Sequence, residues 1–279
     1  MQTQLRQAVV VAFGRTPYCK ARKGSFAQLH PVEYGAQTLL GVLARVPQLR
    51  PEDIGDVIMG CAMPFGVQGG NMARLIVQRA GLPDCVTAQT VNRYCSSGLQ
   101  TIATAANAIR CGEEDVVIAG GVESMSLVPM LVGAEDADPW LAEHRPEVYT
   151  TMGITAENVA RQWGISRADM DAMAVESHRR AAQAQAGGCF DGQIIPITVP
   201  GPDGGEVVVC RDEGIRPGTT AETLAGLKPC FLENGSVTAA TSSQMTDGAG
   251  FVVLMSEEKA AELGVKPLAR FVSFATGGV

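Results

Sequence analysis

The sequence predicts an α/β fold, in which a mixed and mainly parallel β-sheet is covered by helices and interrupted by an α-rich insertion. Short apolar runs rich in β-branched residues alternate with longer runs of helical spacing up to Gly121. Such alternation implies strands joined by helical crossovers. The alternation stops over residues 122–243 and resumes over residues 244–279, so we expect the middle of the chain to be an insertion.

The elements before the insertion are predicted from periodicity and from the Gly and Pro residues that follow most runs. The predicted strands are 7–13, 54–61, 86–91 and 115–119, and the predicted helices are 31–46, 71–80 and 96–110. Gly120 and Gly121 follow a buried strand, where paired glycines serve a tight turn or a close approach of two backbones.

The insertion is predicted to contain two helices and few buried strands. The first covers residues 155–163. In the second, Ser166 and Asp169 resemble a capping arrangement for a helix that runs to residue 186, before Gly187 and Gly188. After a loop-rich passage the core pattern returns, with a strand at 250–255, a helix at 256–263 and a last strand at 268–274.

Composition narrows the class of protein. The 279 residues carry a formal net charge of −7, and the basic residues are scattered apart from Lys20, Arg22 and Lys23, which argues against a nucleic-acid partner. No apolar stretch approaches the roughly 18 residues that span a bilayer, so we expect a soluble, intracellular protein without membrane contact. The eight cysteines show no CxxC pair and no Cys/His cluster, which predicts reduced thiols and no metal site.

Cys95 is the candidate nucleophile. It lies where an apolar β-run stops and a helical pattern begins, and Ser96, Ser97 and Gly98 follow it. A thiol at a helix N-terminus lies near unpaired backbone N–H groups and the positive end of the helix dipole, which favour a thiolate and can stabilise an oxyanion. The alternative is that Cys95 is a small buried hydrophobic residue, the commoner role of a free cysteine.

Five segments carry a resemblance to a known family. They are VNRYCSSGLQTIATAANAI from Val91, VVIAGGVESMSLVPM from Val116, MGITAENVARQWGISRADMDAMAVESHRRAAQA from Met152, IRPGTTAETLAGLKPCF from Ile215 and VTAATSSQMTDGAG from Val237. With them, residues 9–274 resemble the N-terminal half of a thiolase with its inserted lid. The resemblance implies a thiolase-like N-terminal core at 1–121 and 244–279, a lid at 122–243, and no C-terminal core domain.

The resemblance also implies a reaction. Cys95 would attack the 3-keto carbon of a 3-ketoacyl-CoA, release acetyl-CoA and keep the acyl group as a thioester, which coenzyme A then removes. Coenzyme A is thus a substrate, and no bound cofactor is expected. In the family, a histidine in a GHP-type motif activates the thiolate and a second cysteine in a CxG-type motif moves a proton. Neither motif occurs here, so we expect a truncated N-terminal half with little or no turnover alone.

The same segments indicate where coenzyme A would bind. By position in the matching motifs, Arg216, Thr223 and Ser243 would face the cofactor part of the substrate, and Met152 would line the pocket near the thioester. Arg216 has an alternative role as a surface ion pair. A further set of residues in the matching segments is expected to be architectural: Asn92, Gly120, Gly121 and Glu123.

Alternative functions remain open at this point. Two departures from the short-chain biosynthetic thiolases favour the 3-ketoacyl-CoA thiolases of fatty-acid β-oxidation over acetyl-CoA acetyltransferases that make acetoacetyl-CoA. The chain has Thr151 where the biosynthetic thiolases tend to carry a histidine, and it has ATSSQ at residues 240–244. A ketosynthase shares the fold and a nucleophilic cysteine but is expected to lack the lid. A non-catalytic module that binds coenzyme A or forms dimers is the third possibility.

The family also suggests partners and a compartment. Thiolases are dimers or dimers of dimers, so a homodimer or homotetramer is expected, and a face meant for the second domain would be exposed here. The bacterial cytoplasm is the favoured location, with the mitochondrial matrix and the peroxisome as alternatives.

Overall fold

The computed structural model describes residues 5–130 and 136–278. By their contacts the residues group into two compact units. The first comprises Met1–Pro129, Asp191–Glu213 and Thr246–Val279, and the second comprises Met130–Phe190 and Gly214–Met245. The second unit is therefore built from two stretches of chain, whereas the sequence suggested one continuous insertion at 122–243.

Residues 191–213 lie in the first unit because they are bonded to its first strand. The N–H of Arg15 donates to the carbonyl of Gln193 at 3.0 Å, and the N–H of Ile195 donates to the carbonyl of Arg15 at 2.7 Å. The Arg15 guanidinium also forms an ion pair with Asp212 at 2.7 Å, with both side chains largely buried. The sequence signal of a polar, loop-rich passage does not reveal these contacts, because all three are formed with a residue far away in the chain.

The first unit is built on a seven-stranded mixed sheet. The strand order is β4-β3-β5-β8-β1-β9, with β2 paired to β8. Strand β3 runs parallel to both β4 and β5, and β8 runs antiparallel to β5 and to β1. The strands are β1 Ala8–Arg15, β2 Cys19–Lys20, β3 Asp56–Gly60, β4 Thr87–Val91, β5 Val116–Glu123, β6 Ile197–Pro200, β7 Glu206–Val209, β8 Thr246–Ser256 and β9 Ala269–Arg270.

Helices cover the sheet and also lie in the second unit. They are α1 Pro31–Leu43, α2 Met72–Arg79, α3 Ser97–Cys111, α4 Pro139–His144, α5 Met152–Trp163, α6 Arg167–Ala186, α7 Ala221–Ala225 and α8 Glu257–Glu262. Their ends follow local chemistry: α3 ends at Gly112 in the left-handed conformation, and α6 begins with a capping box of Ser166 and Asp169. The predicted capping arrangement at Ser166 is confirmed.

Strand β5 lies at the centre of the core. Its residues 116–119 are fully buried, and successive side chains point to opposite faces of the sheet. Val116 and Ile118 pack in the cluster that contains residues of α1 and α2, whereas Val117 and Ala119 pack with residues of α3. Burial on both faces explains why this strand is an unbroken apolar run rather than an alternating one.

Three predictions for individual elements need correction. The predicted last strand, 268–274, is reduced to Ala269–Arg270, because only these two residues pair with β1 and both are exposed. Gly120 and Gly121 are not in a turn but within β5, where they allow a close backbone approach. The passage after residue 190 contains a β6–β7 hairpin that the sequence analysis missed, although the turn residues Pro202–Asp203–Gly204 between apolar runs signal it.

Gly120 is expected to tolerate no side chain. A Cβ at this position would lie 2.2 Å from the backbone oxygen of Gly250 and 2.5 Å from the Phe251 ring, within the β5–β8 ladder. We expect Gly120→Ala to lower the free energy of unfolding by about 1–3 kcal/mol or more, because the strands must separate to admit the methyl group. Urea denaturation measures this. Gly192→Ala, which adds a methyl group with nothing within 4 Å, is the matched control, and an equal loss in both variants would contradict the packing argument.

Candidate active site

Three parallel strands end at one edge of the sheet, and the candidate site lies there. The last residue of β3, Gly60, pairs with Val91 at the end of β4 and with Gly121 near the end of β5. Helix α3 begins six residues after β4, and Cys95 lies in the connecting turn. The crevice outside the carboxyl ends of parallel strands is the usual place for a ligand in an α/β sheet.

Hydrogen bonds from side chains fix the turn that carries Cys95. The buried hydroxyl of Ser97 accepts the N–H of Arg93 at 2.7 Å and donates to the carbonyl of Tyr94 at 2.6 Å. The side-chain oxygen of Asn92 accepts the N–H of Tyr94 at 2.8 Å. These bonds hold Tyr94 at φ 46°, a left-handed conformation that costs a non-glycine residue roughly 1–2 kcal/mol.

The thiol of Cys95 is exposed at the beginning of α3. The N-cap residue, Ser96, makes no side-chain hydrogen bond to the first turn of the helix and instead donates to the carbonyl of Arg93 at 2.9 Å. The N–H groups of Ser96 and Ser97 donate to the carbonyls of Arg93 and Tyr94 at 3.1 Å and 3.0 Å. The next N–H groups of the first turn, those of Gly98 and Leu99, lie at the positive end of the helix dipole, so this end attracts a negative charge. An exposed sulfur and backbone donors at one helix end can together form a thioester and stabilise an oxyanion.

Glycine lets α3 pack directly on the sheet. A Cβ on Gly60 would lie 2.6 Å from the Ser97 Cβ and 2.9 Å from the Gly98 nitrogen. One turn further along, the hydroxyl of Thr101 donates to the carbonyl of Gly120 at 2.9 Å. The first turn of α3, and with it Cys95, is therefore positioned by direct contact with β3 and β5.

A second cysteine near this edge differs sharply from Cys95. Cys61 follows β3 and is 1% exposed, and its sulfur lies 3.8 Å from the Glu123 carboxylate. Burial, and then the negative charge of Glu123, raise the pKa of the Cys61 thiol to about 12. Cys61 is thus a packing residue that stays protonated at neutral pH.

The predicted coenzyme A contacts all lie in the second unit. Arg216 is exposed, and its backbone N–H donates to the Nδ1 atom of His178 at 3.2 Å. Thr223 belongs to the capping box of α7, where its hydroxyl donates to the carbonyl of Thr220 at 2.8 Å. Met152 begins α5 with 66% of its surface exposed, and Ser243 is exposed shortly before β8.

Arg216 and Thr223 lie on two consecutive hydrogen-bonded turns, whereas Met152 and Ser243 lie on other segments of the second unit. The carbonyl of Arg216 accepts bonds from the N–H and the hydroxyl of Thr219, and Thr220 begins the α7 cap. Sequence reasoning gave no role to His178, which supports this turn from α6. A histidine in the middle of a polar helix gives no sequence signal of a distant backbone partner.

The sequence analysis also missed a buried carboxylate in the second unit. Glu157 is 5% exposed and accepts the N–H groups of Ser236 at 2.9 Å and Val237 at 2.8 Å. It fixes the start of the segment that leads to Ser243. A charged residue on the buried side of an amphipathic helix was the available signal, since such residues are rarely buried without partners.

Neither a cluster of metal-ligating side chains nor a membrane-spanning helix occurs in the part of the chain that the structure describes. Within residues 5–130 and 136–278, His, Cys, Asp and Glu side chains form no group of three that could hold a metal ion. Among the helices of that same part of the chain, none combines the length and apolar character that crossing a bilayer requires.

Comparison with known proteins matches this architecture to one family. The model of the thiolase N-terminal domain matches residues 8–258. A 3-ketoacyl-CoA thiolase of Bacillus subtilis strain 168 is 50% identical over 283 residues, which cover 99% of this chain and 72% of the relative. The chain belongs to the thiolase family. The predicted family and α/β fold, and the enzyme class of thiolase-type acyltransferases, are confirmed.

Two other relatives show how broad the thiolase match is. An acetyl-CoA acetyltransferase of Cupriavidus necator is 41% identical over 287 residues, covering 99% of this chain and 72% of the relative. The crystal structure of the Bacillus anthracis acetyl-CoA acetyltransferase superposes with a TM-score of 0.86 at 39% identity, covering 96% of this chain and 70% of that one. Relatives of both names therefore share this thiolase domain.

Ser97 is expected to stabilise the turn of this thiolase domain that carries Cys95. In Ser97→Ala the Arg93 N–H loses its acceptor, so we expect the free energy of unfolding to fall by about 1–3 kcal/mol and alkylation of Cys95 to slow. Urea denaturation and peptide mapping after iodoacetamide treatment measure the two effects. The exposed neighbour supplies the control: Ser96→Ala should change stability by no more than about 0.5 kcal/mol, and equal effects in both variants would contradict the assignment.

Cys61 is expected to make stability depend on pH in the alkaline range. Its folded pKa is raised, so its contribution to stability is complete below the unfolded thiol pKa of about 8.5 and is lost as pH rises towards 12. We expect the wild type to lose up to about 1.4 kcal/mol per pH unit there through this one thiol, and Cys61→Ala to show a shallower slope. Urea denaturation at pH 8 and at about pH 10 measures the change in the free energy of unfolding. Cys111 is exposed, so Cys111→Ala is the control. Identical slopes in wild type and Cys61→Ala would refute it.

Proposed function

We propose that this thiolase-family chain carries the nucleophile of an acyltransferase that cleaves 3-ketoacyl-CoA with coenzyme A, and that Cys95 is this nucleophile. The observation that carries the proposal is the exposed thiol at the first turn of α3, at the edge where β3, β4 and β5 end. Coenzyme A is a substrate in this proposal, and no further cofactor takes part.

The geometry supports a two-step transfer. The Cys95 sulfur forms a bond to the 3-keto carbon, and the carbonyl oxygen takes the electron pair as an oxyanion near the N–H groups of α3. Collapse of that oxyanion breaks the bond between carbons 2 and 3, and the carbon 2 electron pair receives a proton to give acetyl-CoA. The thiol of a second coenzyme A then attacks the acyl-Cys95 thioester and releases a shortened acyl-CoA.

The proton transfers of this cycle are assigned to groups outside residues 1–279. These residues contain neither the GHP-type nor the CxG-type motif, and their histidines are His30, His144 and His178. His178 accepts a backbone N–H, and His30 accepts the N–H of Val32 as the cap of α1, so both have structural roles. Residues 1–279 alone are therefore expected to bind and react at Cys95 without sustained turnover.

The second unit is proposed to bind coenzyme A through Arg216, Thr223, Ser243 and Met152. All four are exposed; Arg216 lies on the short turn before α7, and Thr223 lies in the first turn of α7. A guanidinium on a constrained turn suits a phosphate group, and an exposed methionine suits the flexible apolar part of an acyl-CoA.

The degradative direction, as in fatty-acid β-oxidation, is the favoured one. It is supported by the Bacillus subtilis relative named 3-ketoacyl-CoA thiolase at 50% identity and by Thr151 and the ATSSQ segment. Acetyl-CoA acetyltransferase activity is the second candidate, supported by the Cupriavidus necator relative. A non-catalytic module that binds coenzyme A is the third, and the experiment below separates it from the first two.

A homodimer or homotetramer is proposed as the assembled state. Strand β4 is the terminal strand of the sheet order, and the side chains of Thr87 and Gln89 on it are exposed, so a second copy of the chain can approach this end of the sheet. The carbonyls of Val86 and Ala88 in this segment already accept hydrogen bonds from the side chains of Arg74 and Asn71. The bacterial relatives support the bacterial cytoplasm as the proposed compartment.

The test of Cys95 compares two exposed cysteines at opposite ends of one helix. Cys95 lies at the positive end of α3 and Cys111 at its negative end. With limiting iodoacetamide at mildly acidic pH, we expect Cys95 to react about tenfold faster than Cys111, and coenzyme A to protect Cys95 alone. Mass spectrometry of peptides gives both rates.

Further arms of this experiment discriminate the candidate functions. Incubation with a 3-ketoacyl-CoA should leave an acyl group on Cys95 and none in Cys95→Ala. Acylation by acetoacetyl-CoA but not by a longer 3-ketoacyl-CoA would favour the acetyltransferase. Protection by coenzyme A without selective alkylation or acylation would favour the binding module and overturn the proposed nucleophile.

A further inference from the structure

The carboxylate of Glu123 fixes the loop that follows β3. Glu123 is the last residue of β5, next to β3 in the sheet. Its Oε2 atom accepts the N–H of Ala62 at 2.7 Å, and its Oε1 atom accepts the N–H of Met63 at 3.3 Å and the side-chain amide of Gln68 at 2.7 Å. Three N–H donors from one loop, and the Cys61 thiol at 3.8 Å, thus converge on one carboxylate, which has only acceptors to offer them.

Gln68 closes the other side of this loop. It is completely buried, and its amide nitrogen also donates to the carbonyl of Met63 at 2.8 Å. Its amide oxygen accepts the N–H of Ser124, the residue after Glu123. Residues 61–68 are therefore bonded to the end of β5 at both of their ends. Buried polar networks in which all groups are paired are rigid.

The loop in turn holds Asn92, and Asn92 holds the residue before Cys95. The carbonyl of Ala62 accepts the side-chain amide of Asn92 at 3.1 Å. The other atom of that amide, Oδ1, accepts the N–H of Tyr94 at 2.8 Å, where the backbone is in the left-handed conformation. An unbroken series of hydrogen bonds thus runs from Glu123 through Ala62 and Asn92 to the residue that precedes Cys95.

We infer that Glu123 is a positioning residue for Cys95, acting through the loop 61–68 and Asn92. The inference rests on the proposed function, because it assigns Glu123 a role only if Cys95 is the reacting thiol. A left-handed tyrosine persists only where its surroundings over-determine it. Glu123 supplies that constraint from β5. Three hydrogen bonds, through Ala62 and Asn92, connect its carboxylate to Tyr94, so the orientation of the Cys95 side chain depends on Glu123.

A carboxylate is needed here, and an amide of the same shape does not replace it. The N–H groups of Ala62 and Met63 and the amide of Gln68 all point at the two oxygens of Glu123. In Glu123→Gln one of these oxygens becomes an NH₂ group that faces a donor, so at least one bond is lost without a change in volume. The loop then shifts, and the Ala62 carbonyl is no longer held in place to accept the side-chain amide of Asn92.

The experiment measures the ratio of Cys95 to Cys111 alkylation within each protein, with buried Cys19 as an indicator of unfolding. We expect Glu123→Gln to lower this ratio about tenfold while Cys19 stays unreactive, because the thiol is misplaced in a folded protein. A merely structural role of Glu123 gives a different result, in which Cys19 becomes reactive and the ratio stays constant. The control is Glu33→Gln. Glu33 lies in α1 and is paired with Arg79, so this substitution should leave the ratio of Cys95 to Cys111 alkylation unchanged.

A double-mutant cycle tests the route through Asn92. Asn92→Ala removes both bonds of the exposed Asn92 side chain and should lower the ratio about as much as Glu123→Gln. The double variant should be no worse than either single variant, because both act on one series of contacts. Additive effects would overturn the proposed route. If Glu123→Gln does not fold, Asn92→Ala decides alone, and an unchanged ratio in it overturns the inference.

The wild type separates this inference from the function on which it rests. If wild-type Cys95 reacts no faster than Cys111, the proposed nucleophile is wrong and the positioning role falls with it. If wild-type Cys95 is selective and Glu123→Gln is equally selective, only the positioning role is wrong.

Discussion

The close packing of α3 on the ends of β3 and β5 is the constraint on which the candidate site depends. Gly60 leaves room for Ser97 and Gly98 at a distance where any side chain would collide, and the carbonyl of Gly120 accepts a hydrogen bond from Thr101. The first turn of α3 is therefore held by the rigid sheet rather than by a loop. A nucleophile at such a place keeps one orientation, because β3 and β5, against which α3 packs, are mostly buried.

Two carboxylates, the half-buried Glu123 and the fully buried Asp247, hold the connecting segments at the same edge of the sheet. Glu123 binds the loop after β3, and Asp247 at the start of β8 is fully buried and accepts the N–H of Ser126 at 2.9 Å. Each carboxylate accepts several donors that the strands do not pair, so its own burial is compensated by hydrogen bonds. The strands are therefore held by apolar packing and the connecting segments by carboxylates. This explains why the core is almost entirely apolar while the adjacent edge is rich in charged and hydroxyl side chains. It also explains why residues that look architectural can affect chemistry, since they determine where the loops lie.

The two units differ in how their structure is specified. In the first unit, alternation of strands and helices and continuous apolar runs such as that of β5 reflect burial on both faces, so periodicity predicts the elements well. In the second unit, α5 and α6 form from local signals, including the capping box at Ser166. The segments between them depend on single long-range contacts, such as those of Glu157 with the backbone of Ser236 and Val237. Such contacts leave no periodic trace in the sequence.

The sequence by itself determined the family, the α/β class, most helices and strands of the sheet unit, and the placement of Cys95 between a strand and a helix. These follow from local propensity, periodicity and motifs, which act over a few residues. Only the tertiary structure decided that residues 191–213 pack with the sheet unit, that the last strand shortens to Ala269–Arg270, and that Glu123 and Asn92 lie in one series of hydrogen bonds leading to Cys95. Each of these depends on contacts between residues that are distant in the chain, and such contacts exist only once the strands have taken their order in the sheet.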